Sequence, residues 1–99
     1  MNKIYLVYDE YCCDDEKLLE VFPCATMEVA IKKLQERLKW NLENTYLNQY
    51  VDENLELTAP DDLSDEDIWE VDENSVEIWI ESMELSLNIH IAEQEIFTE

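Results

Sequence analysis

The sequence predicts an α+β domain in which an antiparallel sheet of about four strands, in the chain order β-β-α-β-β, carries one long amphipathic helix on one face. Three observations support this fold class. Two short apolar runs near the start are typical of strands, the segment after Thr26 has apolar residues at helical spacing, and two runs near the end alternate between apolar and polar residues. At 99 residues the chain has room for one domain, 1–99.

The first two runs predict a hairpin over residues 3–22. Residues 4–8 are apolar on both faces of a strand, which favours an interior position in the sheet. Residues 18–22 form the second strand, which should end at Pro23 because proline has no backbone N–H for the ladder. The acidic segment 9–16 between the strands is predicted to be a polar loop, and it carries two adjacent cysteines.

The helix is predicted to begin after Thr26, whose hydroxyl is a suitable N-cap. Residues 40–50 either continue the helix or begin an aromatic-rich connection, and we favour continuation to about Leu47. The residues of its buried face are Met27, Ala30, Ile31, Leu34 and Leu38. The charged residues of its other face are Glu28, Lys32, Lys33, Glu36, Arg37 and Lys39. The four-residue spacing of Glu28 and Lys32 permits a weak ion pair.

Residues 51–74 are predicted to be a long acidic connection, because Pro60 interrupts regular structure there. Ser64 and Asp67 have the spacing of a capping box, so we expect one short helical turn that continues through Trp69.

Two alternating runs predict a second hairpin. The inward-facing residues are Val76, Ile78 and Ile80 in its first strand and Leu85, Leu87, Ile89 and Ile91 in its second. These positions change from even to odd numbers between the strands, which indicates a turn or bulge at residues 81–84.

The negative charge lies mainly in the second half of the chain. The net charge is −20, from 26 acidic and six basic residues. All six basic residues lie in the near-neutral segment 1–39 beside eight of the acids, and the other 18 acids lie in 40–99, which has neither Lys nor Arg. Such a surface repels phosphate, which argues against direct binding to DNA, RNA or a membrane face. The possibilities that remain are a basic partner protein, a cation, or no charged partner at all.

The chain contains no glycine. Backbones that closely approach a phosphate, or that turn with positive φ, nearly always use glycine. The P-loop, the dinucleotide fingerprint and the nucleophile elbow are therefore excluded.

The cysteines, Cys12, Cys13 and Cys24, are an odd set with one vicinal pair, so a secreted disulfide scaffold is not expected. The first ten residues lack the apolar run of a signal peptide, and no segment reaches the roughly 20 apolar residues of a membrane span. We therefore expect a soluble protein of the reducing cytoplasm of a bacterial cell.

Neither a metal site nor a cofactor is expected. His90, the only histidine, lies on the polar side of a strand, and adjacent cysteines do not have the spacing of zinc ligands. The acidic cluster at residues 61–67 fails as an EF-hand, because the third position is Leu63 and the glycine is missing. Among 26 acids no single carboxylate pair is informative, and a domain of this size has little concavity, so we expect no enzyme activity.

The charge distribution instead predicts a mimic of nucleic acid. Eighteen carboxylates carry the charge of about 9 base pairs of duplex, and such a surface would compete for a groove lined with Lys and Arg. The residues expected to bind this partner are Asp61, Asp62, Asp65, Glu66, Asp67, Glu70, Asp72, Glu73, Glu77, Glu81, Trp69 and Trp79. The alternatives are another acidic protein-interaction role and a structural role, which includes a homodimer formed through a sheet edge.

In size, charge and layout the chain resembles the small acidic proteins of phages and mobile elements that block host defence nucleases, namely anti-CRISPR and anti-restriction DNA mimics. It also looks like small phage proteins that open with a strand of the KIYLVY type and close with an acidic strand of the HIAEQEI type. The resemblance covers the two ends and the composition. It implies an inhibitor that occupies the DNA- or guide-binding surface of its target and has no chemistry of its own.

Overall fold

The structure, a computed structural model, describes residues 2–51 and 58–96. Within these residues it confirms the predicted fold class, with a single antiparallel sheet of five strands rather than about four and one α-helix. The elements in chain order are β1 (Asn2–Cys13), β2 (Glu16–Cys24), α1 (Met27–Asn44), a 3₁₀ helix (Tyr46–Tyr50), β3 (Ile68–Val71), β4 (Ser75–Ile80), a second 3₁₀ helix (Glu81–Met83) and β5 (Leu85–Ile96).

The strand order across the sheet is β2-β1-β5-β4-β3, and every neighbouring pair is antiparallel. The first and last strands, β1 and β5, pair along 12 residues each and form the middle of the sheet. The two predicted hairpins are therefore joined into one sheet, and β2 and β3 are its edge strands.

The first hairpin differs from its prediction in the length of its loop. β1 continues to Cys13 and β2 begins at Glu16, so the loop consists of Asp14 and Asp15 alone and both Cys12 and Cys13 belong to a strand. Asp14 has a φ of 55°, a left-handed conformation that Asp tolerates better than most residues.

The sequence predicts that the second strand ends at Pro23. The strand β2 instead continues through Pro23 to Cys24. Pro23 is opposite Leu6 in the register with β1. β2 is an edge strand, so a residue without an N–H can lie at a position whose backbone groups point away from the sheet.

Helix α1 begins as predicted and ends earlier than predicted. The Thr26 hydroxyl accepts a hydrogen bond from Val29 N–H at 3.2 Å, which makes it the N-cap. The helix stops at Asn44 rather than near Leu47, because Thr45 has an extended backbone and its hydroxyl donates to Asn41 C=O at 2.6 Å. The same hydroxyl accepts from Leu47 N–H at 3.2 Å and so starts the 3₁₀ helix.

A buried polar cluster joins α1 to the middle of the sheet. The Asp9 side chain is buried, and its carboxylate accepts from Arg37 Nε at 2.7 Å and from Asn41 Nδ2 at 3.0 and 3.1 Å. The sequence predicts that Arg37 lies on the charged face of α1, opposite the buried one. Its side chain is instead nearly buried and contacts the rings of Phe22 and Trp40. This cluster explains why β1 continues through the acidic segment that the sequence predicts to be a loop.

The helical turn predicted at Ser64 is replaced by a strand. Asp67 Oδ2 accepts from Ser64 N–H at 3.0 Å, one half of the expected capping box, but Ile68–Val71 then form β3 against β4. A strand of four residues has too little periodicity to be recognised without its partner. Residues 52–57 of the predicted connection lie outside the described residues.

The second hairpin follows its prediction. The predicted inward residues of β4 and β5 are buried except Ile91, which is half-buried. The change of phase occurs at the 3₁₀ helix Glu81–Met83, which ends at Glu84 with a φ of 48°. The core lies between α1 and one face of the sheet, and Val7, Leu34, Leu47, Leu87 and Ile89 are fully buried there.

No helix in the described part of the chain is both long enough and apolar enough to span a bilayer.

Candidate functional site

Only one face of the sheet is covered by α1, and we call the other one the open face. Side chains alternate between the two faces along each strand, so the open face carries the residues that are not paired with core positions. Every described side chain on it is half-buried or exposed. The open face is therefore accessible to a partner over the whole width of the sheet.

The antiparallel register aligns the open-face residues into rows across all five strands. One of these, which we call the acidic row, consists of Leu19, Glu10, Asn88, Glu77 and Glu70. Its neighbour, which we call the tryptophan row, consists of Lys17, Cys12, Ser86, Trp79 and Ile68.

Within the acidic row, Glu70 of β3 and Glu77 of β4 are directly opposite each other. Like charges at facing positions of an antiparallel pair destabilise a sheet, because their Cβ atoms are only about 4.5–5.5 Å apart. Both side chains are exposed, and neither belongs to an ion pair within the described residues. Two strands away, Glu10 adds a third carboxylate to the same row.

All members of the two rows except Glu70 line a shallow concavity of about 520 Å³ on the open face. Its apolar wall includes Trp79, which is half-buried, Ile68, which is 37 % exposed, and Leu19, which is 64 % exposed. Glu10 and Glu77 also line it. Lys17 lines it as well, so the concavity combines apolar surface with two carboxylates and one ammonium group.

His90 and Tyr8 lie farther along the open face. Their rings stack with centroids 4.9 Å apart, and His90 Nδ1 is 3.0 Å from Asn88 Oδ1. As the sequence predicts, His90 is on the polar side of its strand, opposite the core positions.

The structure separates the two tryptophans of the predicted binding site. Trp69 is paired with the core residue Ile78, so it lies on the helix-covered face, where its ring contacts Tyr50 edge-on at 5.6 Å. Trp79 is paired with Ile68 and lies on the open face. One flat partner surface cannot contact both rings.

The acids of the segment before β3 lie in exposed turns. Asp61 and Asp62 form one turn and Asp65 and Glu66 another, and all four side chains are exposed. Asp67 differs, because its Oδ1 also accepts from Glu81 N–H at 2.9 Å. Asp67 therefore anchors this segment to the end of β4.

Two acids of the segment before β3 affect the pKa of Tyr50. Burial raises the pKa of Tyr50, and the negative charges of Asp62 and Asp67 raise it further. Because Tyr50 also contacts Trp69, these two acids lie near the helix-covered side of β3. The predicted acids are thus distributed around the β3 edge and not on one face.

The remaining predicted acids, Asp72, Glu73 and Glu81, are exposed at turns. Asp72 and Glu73 are in the β3–β4 turn, where Asp72 N–H donates to Ser75 C=O at 2.8 Å. Glu81 begins the 3₁₀ helix after β4, at the other end of that strand. We call residues 61–73 together with Glu77 and Glu81 the acidic end.

The ion pairs among the described residues leave the acidic end uncompensated. They join Lys3 to Glu93, Lys33 to Glu36, and Arg37 to Asp9 and Glu20. The Lys33 pair takes the place of the predicted one between Glu28 and Lys32. Of the described carboxylates after residue 40, only that of Glu93 has a basic partner.

The three cysteines are free thiols, with Cys13 and Cys24 buried and Cys12 half-buried. Within residues 2–51 and 58–96, no group of three or more His, Cys, Asp or Glu side chains converges in a way that could hold a metal ion.

Sequence reasoning overlooked Glu10, Leu19 and Ile68 as parts of the open face. The signal for Glu10 was present, because Tyr8, Glu10 and Cys12 alternate with Val7, Asp9 and Tyr11 once the strand is extended to Cys13. Leu19 and Ile68 had no comparable signal, since only the sheet order brings β2 and β3 to the two sides of one surface.

Comparison of the chain with protein-family models, with curated proteins and with solved structures finds no match in any of the three.

Proposed function

We propose that the protein is a non-enzymatic acidic inhibitor that mimics nucleic acid and occupies the basic DNA- or RNA-binding groove of a host defence nuclease, such as a CRISPR effector. The observation that carries this proposal is the facing pair of Glu70 and Glu77 within an acidic end that has no basic partner among the described residues. Such a pair costs stability. A cationic groove would neutralise it on binding.

The dimensions of the molecule fit this role. It is elongated, with extents of 52 × 29 × 24 Å. Since a duplex rises about 3.4 Å per base pair, the long axis corresponds to about 15 base pairs. A molecule of this length could cover much of a groove that normally holds a short duplex.

The direct test is displacement of labelled DNA from a guide-loaded CRISPR effector and from a restriction endonuclease, at about 0.05 M and about 0.3 M salt. We expect displacement at low salt and a steep loss at high salt, because the interaction replaces counterions on both surfaces. A pull-down from a bacterial lysate at the same two salt concentrations, with identification of the captured proteins, extends the test to other targets.

Charge reversal shows whether the acidic end carries the binding. The test variant changes Glu66, Glu70, Asp72 and Glu73 to Lys, and it leaves Asp67 intact because this residue anchors its segment. The control variant changes four exposed acids elsewhere, Asp15, Glu28, Glu36 and Glu43, to Lys. Both have the same net charge, so mimicry by the acidic end predicts that the first abolishes displacement while the second retains most of it.

Equal loss in both variants would indicate attraction by net charge alone. If neither enzyme is displaced and no nucleic-acid-binding protein is captured at low salt, the proposal is wrong. Capture of a protein whose binding survives high salt would support the other role, an acidic protein-interaction module.

A further inference from the structure

The open face has the properties of a docking surface in its own right. Leu19 is 64 % exposed, Val21 is 43 % exposed and Ile68 is 37 % exposed, and all three lie on the face that α1 leaves uncovered. Burial of apolar surface is favourable in water, so exposed aliphatic side chains on one sheet face favour a partner that covers them.

Charge decides what kind of partner can cover this face. Glu10, Glu77 and Glu70 occupy three of the five positions of the acidic row. The neighbouring tryptophan row has one charged residue, Lys17, so the two rows together remain net negative. A second copy of this chain packed face to face would bring two such acidic rows together, each on a molecule of net charge −20. Like charges brought together at an interface repel each other strongly, so a copy of this chain is the disfavoured occupant.

A cationic amphipathic helix satisfies both features of the open face. Its apolar side chains would lie against Leu19, Trp79 and Ile68, and its Lys or Arg side chains would reach Glu10, Glu70 and Glu77. Five strands at about 4.8 Å spacing are about 19 Å wide, which is the length of about 13 helical residues. A helix of ordinary length could therefore cross the whole concavity.

We propose that the open face is a docking site for a basic amphipathic helix of a partner protein, with Leu19 and Trp79 as its apolar contacts and Glu10, Glu70 and Glu77 as its charge contacts. This site shares Glu70 and Glu77 with the acidic end, but it differs from nucleic-acid mimicry because it requires apolar contacts, whereas mimicry requires only carboxylates. Helix-in-groove recognition of this kind relies on apolar anchors along one side of the bound helix.

The test uses three synthetic peptides of about 14 residues, each long enough to cross the face as a helix. The first has Leu along one helical face and Lys on the other, the second replaces each Leu by Gln, and the third replaces each Lys by Gln. Binding to the whole protein is measured by calorimetry, and the contacted indole is identified from the Nε1–H resonances of the tryptophans. The Trp79 resonance is assigned with Trp79→Phe.

We expect the Leu/Lys peptide to bind at least about tenfold more tightly than either of the others, which is the effect of losing one hot-spot contact. It should shift the Trp79 indole resonance and leave that of Trp69 nearly unchanged, because Trp69 lies on the helix-covered face. The complex should weaken about fivefold or more when salt rises from about 0.05 M to about 0.3 M.

Two single substitutions test whether the Leu/Lys peptide binds to the open face. Leu19→Asn changes a residue that is 64 % exposed, so it should fold normally and weaken the Leu/Lys peptide about tenfold. Val29→Asn is the matched control, since Val29 is 48 % exposed but lies on α1, and it should leave the affinity within about twofold.

Three outcomes would overturn the proposal. Equal affinity for the Leu/Lys and Gln/Lys peptides means that charge alone binds, and equal weakening by Leu19→Asn and Val29→Asn means that the contact is elsewhere. Sedimentation of the free protein as a dimer that Leu19→Asn dissociates means that a second copy covers the face. Failure of DNA displacement, by contrast, contradicts only the nucleic-acid mimicry and leaves these peptide results unaffected.

Discussion

Arg37 donates from Nε to Asp9 Oδ2 at 2.7 Å, and its guanidinium lies between two aromatic rings, 4.9 Å from the centroid of Phe22 and 4.3 Å from that of Trp40. Both charged side chains are nearly inaccessible, at 3 % for Asp9 and 11 % for Arg37. This contact joins the C-terminal half of α1 to the middle of the sheet.

We expect Arg37→Ala to lower the free energy of unfolding by about 3–5 kcal/mol, because it leaves the buried Asp9 carboxylate without its cation. Urea denaturation measures the change. Lys33→Ala is the control, since Lys33 also contacts Phe22 but forms a more exposed ion pair with Glu36, which should cost less than about 1 kcal/mol. Equal losses in the two variants would mean that the buried pair has no special role.

Replacing Glu70 by Lys should stabilise the protein by about 0.5–1 kcal/mol, because it converts the repulsive pair with Glu77 into an attractive one. Glu73→Lys makes the same change of net charge in the neighbouring turn and is the control for a general charge effect. The difference between the two variants in thermal denaturation should shrink at about 1 M salt. A Glu73→Lys variant as stable as Glu70→Lys would show that the facing pair is not strained.

The stability of the protein should fall between pH 10 and pH 12. Burial, the largest cause, raises the pKa of Tyr11 from 10.0 to about 12. The folded state then keeps the phenol proton over a range in which the unfolded state has lost it. The stabilisation is complete below pH 10 and is lost as the pH rises through the folded-state value.

Tyr11→Phe isolates this effect from the other groups that titrate at alkaline pH. Tyr11 is 2 % exposed and its Oη accepts from Tyr46 N–H at 3.4 Å, so the variant is expected to be less stable at neutral pH by about 1 kcal/mol. The gap between wild type and variant, measured by urea denaturation at each pH, should close or reverse by pH 12. A constant gap would contradict burial as the cause.

Thr45→Val should cost about 1–2 kcal/mol, because it keeps the shape of a buried side chain but removes a hydroxyl that serves two helices. Thr26→Val removes a single hydrogen bond at an exposed cap and should cost less. Circular dichroism followed during thermal unfolding provides both values. The opposite ranking would show that the Thr45 contacts are weak.

The location of most elements could be predicted from local patterns. The three-and-four spacing after Thr26 and the alternation in residues 76–91 place α1, β4 and β5, because each pattern records which side chains face a core. The change of phase at 81–84 also predicted the break between β4 and β5.

The predictions that are wrong share one cause. Each concerns a segment whose structure depends on contact with residues that are distant in the chain. The segment around Asp9 does not have the local pattern of a strand, because the cation that neutralises Asp9, Arg37, is 28 positions away. Ile68–Val71 form a strand because β4 supplies their partners. The candidate site was foreseen as a set of acids and two tryptophans, but not as surfaces on different faces of the sheet.

The sequence by itself determined the fold class, most of the buried positions of α1, β4 and β5 and the concentration of negative charge after residue 39, since these follow from composition and periodicity. Only the tertiary structure decided that Glu70 faces Glu77, that Trp69 and Trp79 point to opposite sides, and that Leu19 lies in the same row as the acids. The physical reason is that periodicity depends on near neighbours, whereas register and strand order depend on pairing across the whole chain.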